Sequence, residues 1–221
     1  MSSPPPSKAP TPATTEDEPR SIRKRGAILD AATTLFLRNG YRGTSMDEIA
    51  ALARVSKQTV YKHFADKERL FSAIVTAAVD AAGDPVLEDA TALADSDDLA
   101  ADLRDLAREQ LALVMQKRLM QLRRLVIGEG TRFPELAEAL YEHGPKRAIA
   151  TLARLFERLA ERTLLRVDDP TAAATEFNWL VMGEPVNRAM LLGDAAIPTA
   201  TERAAQVRAA VRVFLAAYGA R

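Results

Sequence analysis

With 221 residues, 48% of them hydrophobic, the chain is long enough for one or two domains around a sizeable core; with no Cys and only His63 and His143, it lacks the makings of a disulfide framework or a His- or thiolate-rich metal site, and no cofactor is expected. No apolar run nears the roughly 18 residues of a membrane span and no apolar stretch marks a secretory signal, so a soluble cytoplasmic protein without a membrane partner is expected. The net charge of zero hides an asymmetry: residues 20–70 carry +6, residues 1–19 carry −2 and residues 71–221 carry −4, a small basic module on an acidic body, which suits a protein with one face on a polyanion.

Residues 1–19 are rich in Pro, Ser and Thr and lack the apolar groups that offset ordering entropy, which predicts a disordered tail. Arg20, Arg23, Lys24 and Arg25 follow, either as an arm along phosphates or as the solvated start of a helix. Ile28, Ala32, Leu35 and Phe36 share one face of a helix over Ile22–Arg38. Asn39-Gly40 ends it, with Gly40 suited to a left-handed cap. Thr44 with Asp47 and Ser45 with Glu48 offer overlapping capping boxes for a helix over Met46–Arg54. Met46, Ile49, Ala50 and Ala53 face inward from it. Val55-Ser56 turns the chain, and Ser56 caps a third helix, Lys57–His63, anchored by Val60 and Phe64. Two short helices joined by a tight turn form a helix-turn-helix. A fourth helix starts after Asp66 and runs from Lys67 to about Ala82, with Leu70, Phe71, Ile74 and Val75 as its apolar stripe.

Strand-forming runs are nearly absent, and the rest reads as further helices. A short one is expected over Pro85–Ala94, a longer one over Leu99–Lys117 behind the Asp95–Asp98 cluster, and another over Arg118–Gly128. Pro134 starts a segment ending near His143-Gly144, and Pro145 starts one running to Arg166. Asp169-Pro170 is a strong start signal for the next helix, and the last runs from Thr199–Thr201 to Tyr218.

The N-terminal segment, over Ile22–Phe71, resembles the TetR family of bacterial transcriptional regulators. The likeness rests on Ile28 to Ala32, Leu35-Phe36, Gly40-Tyr41, Thr44-Ser45-Met46, Ile49-Ala50, Ala53, Val55-Ser56-Lys57, Thr59-Val60-Tyr61, His63-Phe64, Lys67-Glu68 and Leu70-Phe71. A looser likeness over residues 118–147, in Arg124 to Gly130 and Phe133 to Leu136, is to the efflux and stress-repressor subset. The resemblance implies an all-α protein. An N-terminal three-helix DNA-binding domain (20–66) would be followed by a larger helical domain (67–221) that binds ligand and dimerises. It also implies a homodimer, double-stranded operator DNA as partner, and a small-molecule inducer.

The chemistry of the third helix fits that reading. The N-terminal residues of a recognition helix face base edges in the major groove. Lys57 can donate to guanine, Gln58 can pair with adenine, and the Thr59 methyl can meet thymine. Tyr61, Lys62 and His63 suit phosphates, with packing as the other role for His63. Thr44 and Ser45, at a helix N-terminus, are candidates for a phosphate site as well as for caps. In the body, Gln110, Glu129, Asn178 and Arg188 are polar residues on otherwise apolar helices, and Met115, Phe133, Phe156, Trp179 and Met182 are candidate pocket lining or core. The last two helices, about 171–192 and 201–218, supply a dimer face. Phe177, Leu180, Val181, Met190 and Leu191 are apolar on the first; Val207, Ala210, Val211, Phe214, Leu215 and Tyr218 are apolar on the second. Gly183 and Pro185 are expected to kink or interrupt the first of these. The fourth helix joins head and body and is the expected lever. Transcriptional repression released by ligand is the leading function, with an activator of the same family or an architectural DNA-binding protein as alternatives. An enzyme reading would pair Glu129 with His143, but no nucleophile, metal or phosphate-loop pattern accompanies them.

Overall fold

Apolar residues that recur every three to four positions dictate helix α1 (Asp17–Asn39), which buries Ile28, Ala32, Leu35 and Phe36 on one face. It belongs to a computed structural model that describes residues 17–78 and 97–220. Gly40, at φ +74°, takes the left-handed conformation that ends α1, and its N–H donates to Phe36 O at 2.9 Å. Then come α2 (Met46–Leu52), α3 (Lys57–His63) and α4, described over residues 67–78. The body holds α5 (Leu99–Val114), α6 (Lys117–Glu129), α7 (Pro134–Tyr141), α8 (Arg147–Glu161), α9 (Pro170–Leu192) and α10 (Ala200–Tyr218). No strand forms among the described residues; a single bridge pairs Leu165 with Gly219. No described helix is long and apolar enough to cross a membrane.

Two apolar cores organise these helices. The first gathers Ile28 and Phe36 of α1, Ile49 of α2, Val60 of α3 and Leu70 and Phe71 of α4. It continues through Leu122 and Val126 of α6 and Leu136 and Leu140 of α7. The second lies among α5, α8, α9 and α10, around Phe156, Phe177 and Phe214, whose ring centroids are 4.9 to 5.5 Å apart. Met120 of α6 belongs to this second core. Thus α6 has one side in each. Its Arg124 donates to Ala189 O of α9 at 3.0 Å and pairs with Asp194, in the short turn that follows α9. Lys117 (3.5 Å) and the Gln121 amide also reach Asp194. That turn is possible because Gly193 adopts φ +83°.

Several boundaries differ from the sequence expectation. Residues 1–16 of the expected tail and the expected helix over 85–94 lie outside the described residues. Helix α1 starts at Asp17, five positions before Ile22, since acidic residues and a proline suit a helix N-terminus. Helix α2 stops at Leu52 rather than Arg54, and α5 stops at Val114. Near Pro145 the expectation holds: Gly144 is non-helical (φ −94°, ψ −105°), a kink between two helices within Glu142–Lys146, and Pro145 begins the stretch that continues as α8. Helix α8 ends at Glu161, not Arg166, because Thr163 turns left-handed (φ +59°) and residues beyond it pair with the chain's end: Arg166 N donates to Tyr218 O at 2.7 Å. Helix α9 is not interrupted at Gly183 or Pro185; Pro185 is buried inside a continuous span. Of the residues assigned to a dimer face, Phe177, Val181, Val207, Ala210, Val211 and Phe214 are spent in the second core. The exposed apolar residues of these helices are instead Trp179 (55%), Leu191 (75%), Leu192 (70%) and Val213.

Candidate nucleic-acid interface

The α2–turn–α3 unit is closed by its own caps. Ser45 caps α2: its Oγ accepts from Glu48 N at 3.2 Å, and Glu48 Oε2 accepts from Ser45 N at 2.8 Å. The Ser45 hydroxyl also donates to that carboxylate at 2.8 Å. After α2 the N–H of Arg54 donates to Ala51 O (3.2 Å) and that of Val55 to Ala50 O (3.1 Å), the paired bonds of a Schellman ending. Arg54 stands in the left-handed position, φ +54°, where glycine is usual. Ser56 then caps α3, accepting from Thr59 N at 3.2 Å. Val60 is fully buried and Phe64 nearly so, which fixes the rotation of α3 on the core.

That rotation decides which side chains are presented. Lys57, Gln58, Tyr61 (45% exposed) and Lys62 point to solvent. The Thr59 hydroxyl lies 2.8 Å from Ser56 Oγ, so its hydrogen bonding is committed to the cap. Lys57 Nζ pairs with Asp47 of α2 at 2.8 Å, and this hydrogen bond raises the lysine's pKa. His63 is half-buried; burial pushes its pKa down, and Lys62, Arg25 and Lys24 push it further, so the imidazole is neutral near pH 7. Arg25 of α1 lies over the Phe64 ring at 5.4 Å, which sets the basic start of α1 beside the end of α3.

Thr44 differs from expectation. It is buried, and its hydroxyl donates to Gly40 O at 2.9 Å, so the hydroxyl is not free at the helix start. Asp47 does not close a box with it, being engaged by Lys57. A residue that sequence reading passed over holds this corner. Lys67 Nζ donates to Tyr41 O (2.9 Å) and Thr44 O (2.8 Å) and lies 4.6 Å from the Tyr41 ring centroid. Burial, then Arg132, lowers its pKa. No local signal in the sequence marks such a staple, because its partners are 23 and 26 positions away.

The body residues expected near a ligand divide into two sets. Met115, Phe156 and Met182 meet in the second core, and Gln110 and Asn178 are buried on α5 and α9. Gln110 Oε1 has no hydrogen-bond partner among the described residues. The rest lie apart. Phe133 packs on the head, 4.7 Å from the Tyr41 ring. Glu129 is at the end of α6, and Trp179 is exposed on α9. Arg188 bridges Glu184 (3.4 Å) and Glu202 (3.7 Å), tying α9 to α10.

A helix-turn-helix whose second helix shows polar and basic side chains, carried on a larger helical body, defines the class of helix-turn-helix regulators. Residues 28–74 match the bacterial regulatory proteins of the tetR family, and residues 101–220 match the C-terminal domain of AefR-like transcriptional repressors. The chain belongs to the TetR family of DNA-binding transcriptional regulators. A TetR-family transcriptional regulator from Mesorhizobium loti MAFF303099 is similar in structure, at 40% identity and a TM-score of 0.85, over 90% of this chain and 98% of that one. The flavonoid-responsive regulator FrrA is similar at 33% identity and a TM-score of 0.72, over 90% and 99% of the two chains. Among curated relatives, the transcriptional activator FasR of Mycolicibacterium smegmatis is 45% identical over 62 residues, 28% of each chain. The matches to the first curated relatives span under a third of those proteins' length.

Proposed function

We propose that the chain is a cytoplasmic transcriptional repressor that binds a palindromic operator as a homodimer and is released from it by a small molecule. Residues 20–66 form the reading head and residues 67–221 the regulatory and dimerisation body. The observation that carries the reading is the outer face of α3, where Lys57, Gln58, Tyr61 and Lys62 stand exposed on a helix held by Val60. Lys57, Gln58 and the Thr59 methyl read base edges. Tyr61, Lys62 and His63, with the Ser45 end of α2 and the backbone beside Thr44, hold phosphates. Repression is favoured by the match of residues 101–220 to a repressor's C-terminal domain. Activation is the second reading, since the FasR relative is an activator.

Trp179, Gly183 and Leu191 of α9 and Ala209, Val213 and Ala216 of α10 supply the dimer face, where small residues allow close helix approach. A ligand shifts the DNA-bound population only by its different affinity for two states. Helices α4 and α6, which share a core, carry that shift to the head. The test is selection of bound duplexes from a random pool, footprinting, then a screen for compounds that release the complex. A two-fold symmetric footprint with half-sites about 34 Å apart is expected. Diffuse protection of any DNA would overturn the reading.

A further inference from the structure

Four groups that carry or can take up positive charge gather where the start of α1 meets the end of α3. Arg25 lies over the Phe64 ring at 5.4 Å, and the His63 ring centroid is 6.4 Å from that of Phe64. Lys24 on α1 and Lys62 on α3 complete the group. His63 and Lys24 are half-buried, whereas Arg25 and Lys62 are exposed. Burial disfavours the charged imidazole, and the charged groups that bear on it among the described residues all act the same way: Lys62 from its own helix, Arg25 and Lys24 from α1. The partner of a DNA-binding protein reverses this balance. A phosphate set against the cluster offsets the three cations and adds a negative charge beside the ring. Both changes favour the imidazolium, in which both ring nitrogens donate.

Building on the operator-binding reading above, we infer that a DNA phosphate seated at the cluster of Lys24, Arg25, Lys62 and His63 makes His63 take up a proton from solvent, so that each α3 docks with one proton gained and DNA affinity rises as the solution is acidified. Above the pH at which bound His63 titrates, neither state holds the proton; below the pH at which free His63 titrates, both do. Between the two, affinity falls as pH rises, by up to about tenfold per pH unit for each histidine. Lys24, Arg25 and Lys62 stay charged throughout that window, so the response belongs to the imidazole. The chain's other histidine, His143, lies in the turn after α7, in the body.

The test uses the full chain and two duplexes, one carrying the selected operator and one of mixed sequence, at fixed ionic strength because phosphate contacts are salt-sensitive. Titration calorimetry in buffers of different ionisation heat counts the protons, and anisotropy titrations give the affinity at about pH 6 and about pH 8. The parent is expected to take up protons and to bind about tenfold or more tightly at the lower pH. His63→Gln is expected to bind without net uptake and with a flat pH profile. His63→Arg, charged throughout, is also flat and keeps the tight binding at the higher pH, whereas His143→Gln keeps the parent's slope. Proton NMR reads the parent directly: the His63 ring resonance should titrate at higher pH in the complex than in the free chain. No uptake by the parent, uptake that survives in His63→Gln, or a His63 resonance that titrates alike free and bound would overturn the coupling. A two-fold footprint without proton uptake overturns the coupling and leaves the operator reading standing. Uptake on both duplexes without a symmetric footprint does the reverse.

Discussion

Lys57, which the proposed reading sets against a base edge, rests in an ion pair. Its ammonium lies 2.8 Å from Asp47, with both side chains more than half exposed, and a pair of that kind is worth little. Exchanging it for a guanine edge is therefore cheap, and the Asp47 contact orients the lysine along the outer face in the meantime. Lys57→Ala is expected to weaken operator binding by about 1–3 kcal/mol, roughly 10- to 100-fold, as loss of a base contact does. Tyr61→Ala should weaken it less and across all sequences. Both should melt like the parent, since neither side chain is in the core; unchanged affinity of both in a mobility-shift titration would show that α3 does not face DNA. At this scale the sequence was legible where local rules act. The Ser45–Glu48 box, the Ser56 cap, Gly40 and the buried Val60 all follow from spacing within a few residues. Lys67, Arg54 and Thr44 were not legible in the same way. Lys67 acts through distant carbonyls, Arg54 takes a backbone position that its side chain does not advertise, and Thr44 spends its hydroxyl backwards on Gly40 rather than forwards on α2.

Among the elements, α6 stands out because it divides its apolar residues between two cores and is fastened to the end of α9. Asp194 is the fastening point. Burial pushes its carboxyl up, but hydrogen bonds from Arg124 and Gln121 and the charge of Lys117 outweigh this and hold its pKa below the usual range. A carboxyl with a depressed folded pKa stabilises the fold above its unfolded pKa, about 4, and that stability is lost as pH falls through the lower folded value. Asp194→Asn should therefore lower the stability at neutral pH by about 1–2 kcal/mol for the lost charge-assisted bonds, seen as a lower melting temperature. The gap to the parent should close as both are acidified below about pH 4. Parallel melting curves from pH 7 to pH 3 would show that Arg124 is satisfied without the carboxylate. The helices themselves were readable from caps and periodicity, α3 to the residue and α9 from its Asp169-Pro170 start. Their breaks were legible in part: the kink at Gly144 falls where Gly144-Pro145 marks it, but Pro185 sits buried inside a continuous α9, because tertiary packing overrides the local cost of proline.

For the whole molecule, the sequence pattern on α9 and α10 was ambiguous, since both helices carry more apolar residues than one face can use. The fold resolves it by filling the second core with Phe177, Val181, Val211 and Phe214 and leaving Trp179, Leu191 and Leu192 outside. Large apolar side chains that gather in one exposed patch are unusual on a monomer and ordinary in an interface. In the proposed two-fold contact through this face each Trp179 is buried against the partner subunit, so a substitution there acts twice. An aspartate in its place puts two unpaired carboxylates into the interface. Trp179→Asp is expected to halve the mass seen by light scattering at micromolar concentration. Operator affinity should collapse with it, because one head reaches only one half-site, while the isolated fold keeps its melting cooperativity since Trp179 lies outside both cores. The parent's tryptophan emission should also shift to the red on dilution, as the sole indole passes from interface to water. An unchanged dimer mass for Trp179→Asp combined with Leu191→Asp would move the two-fold axis off α9, and with it the geometry that sets the two α3 helices one DNA turn apart.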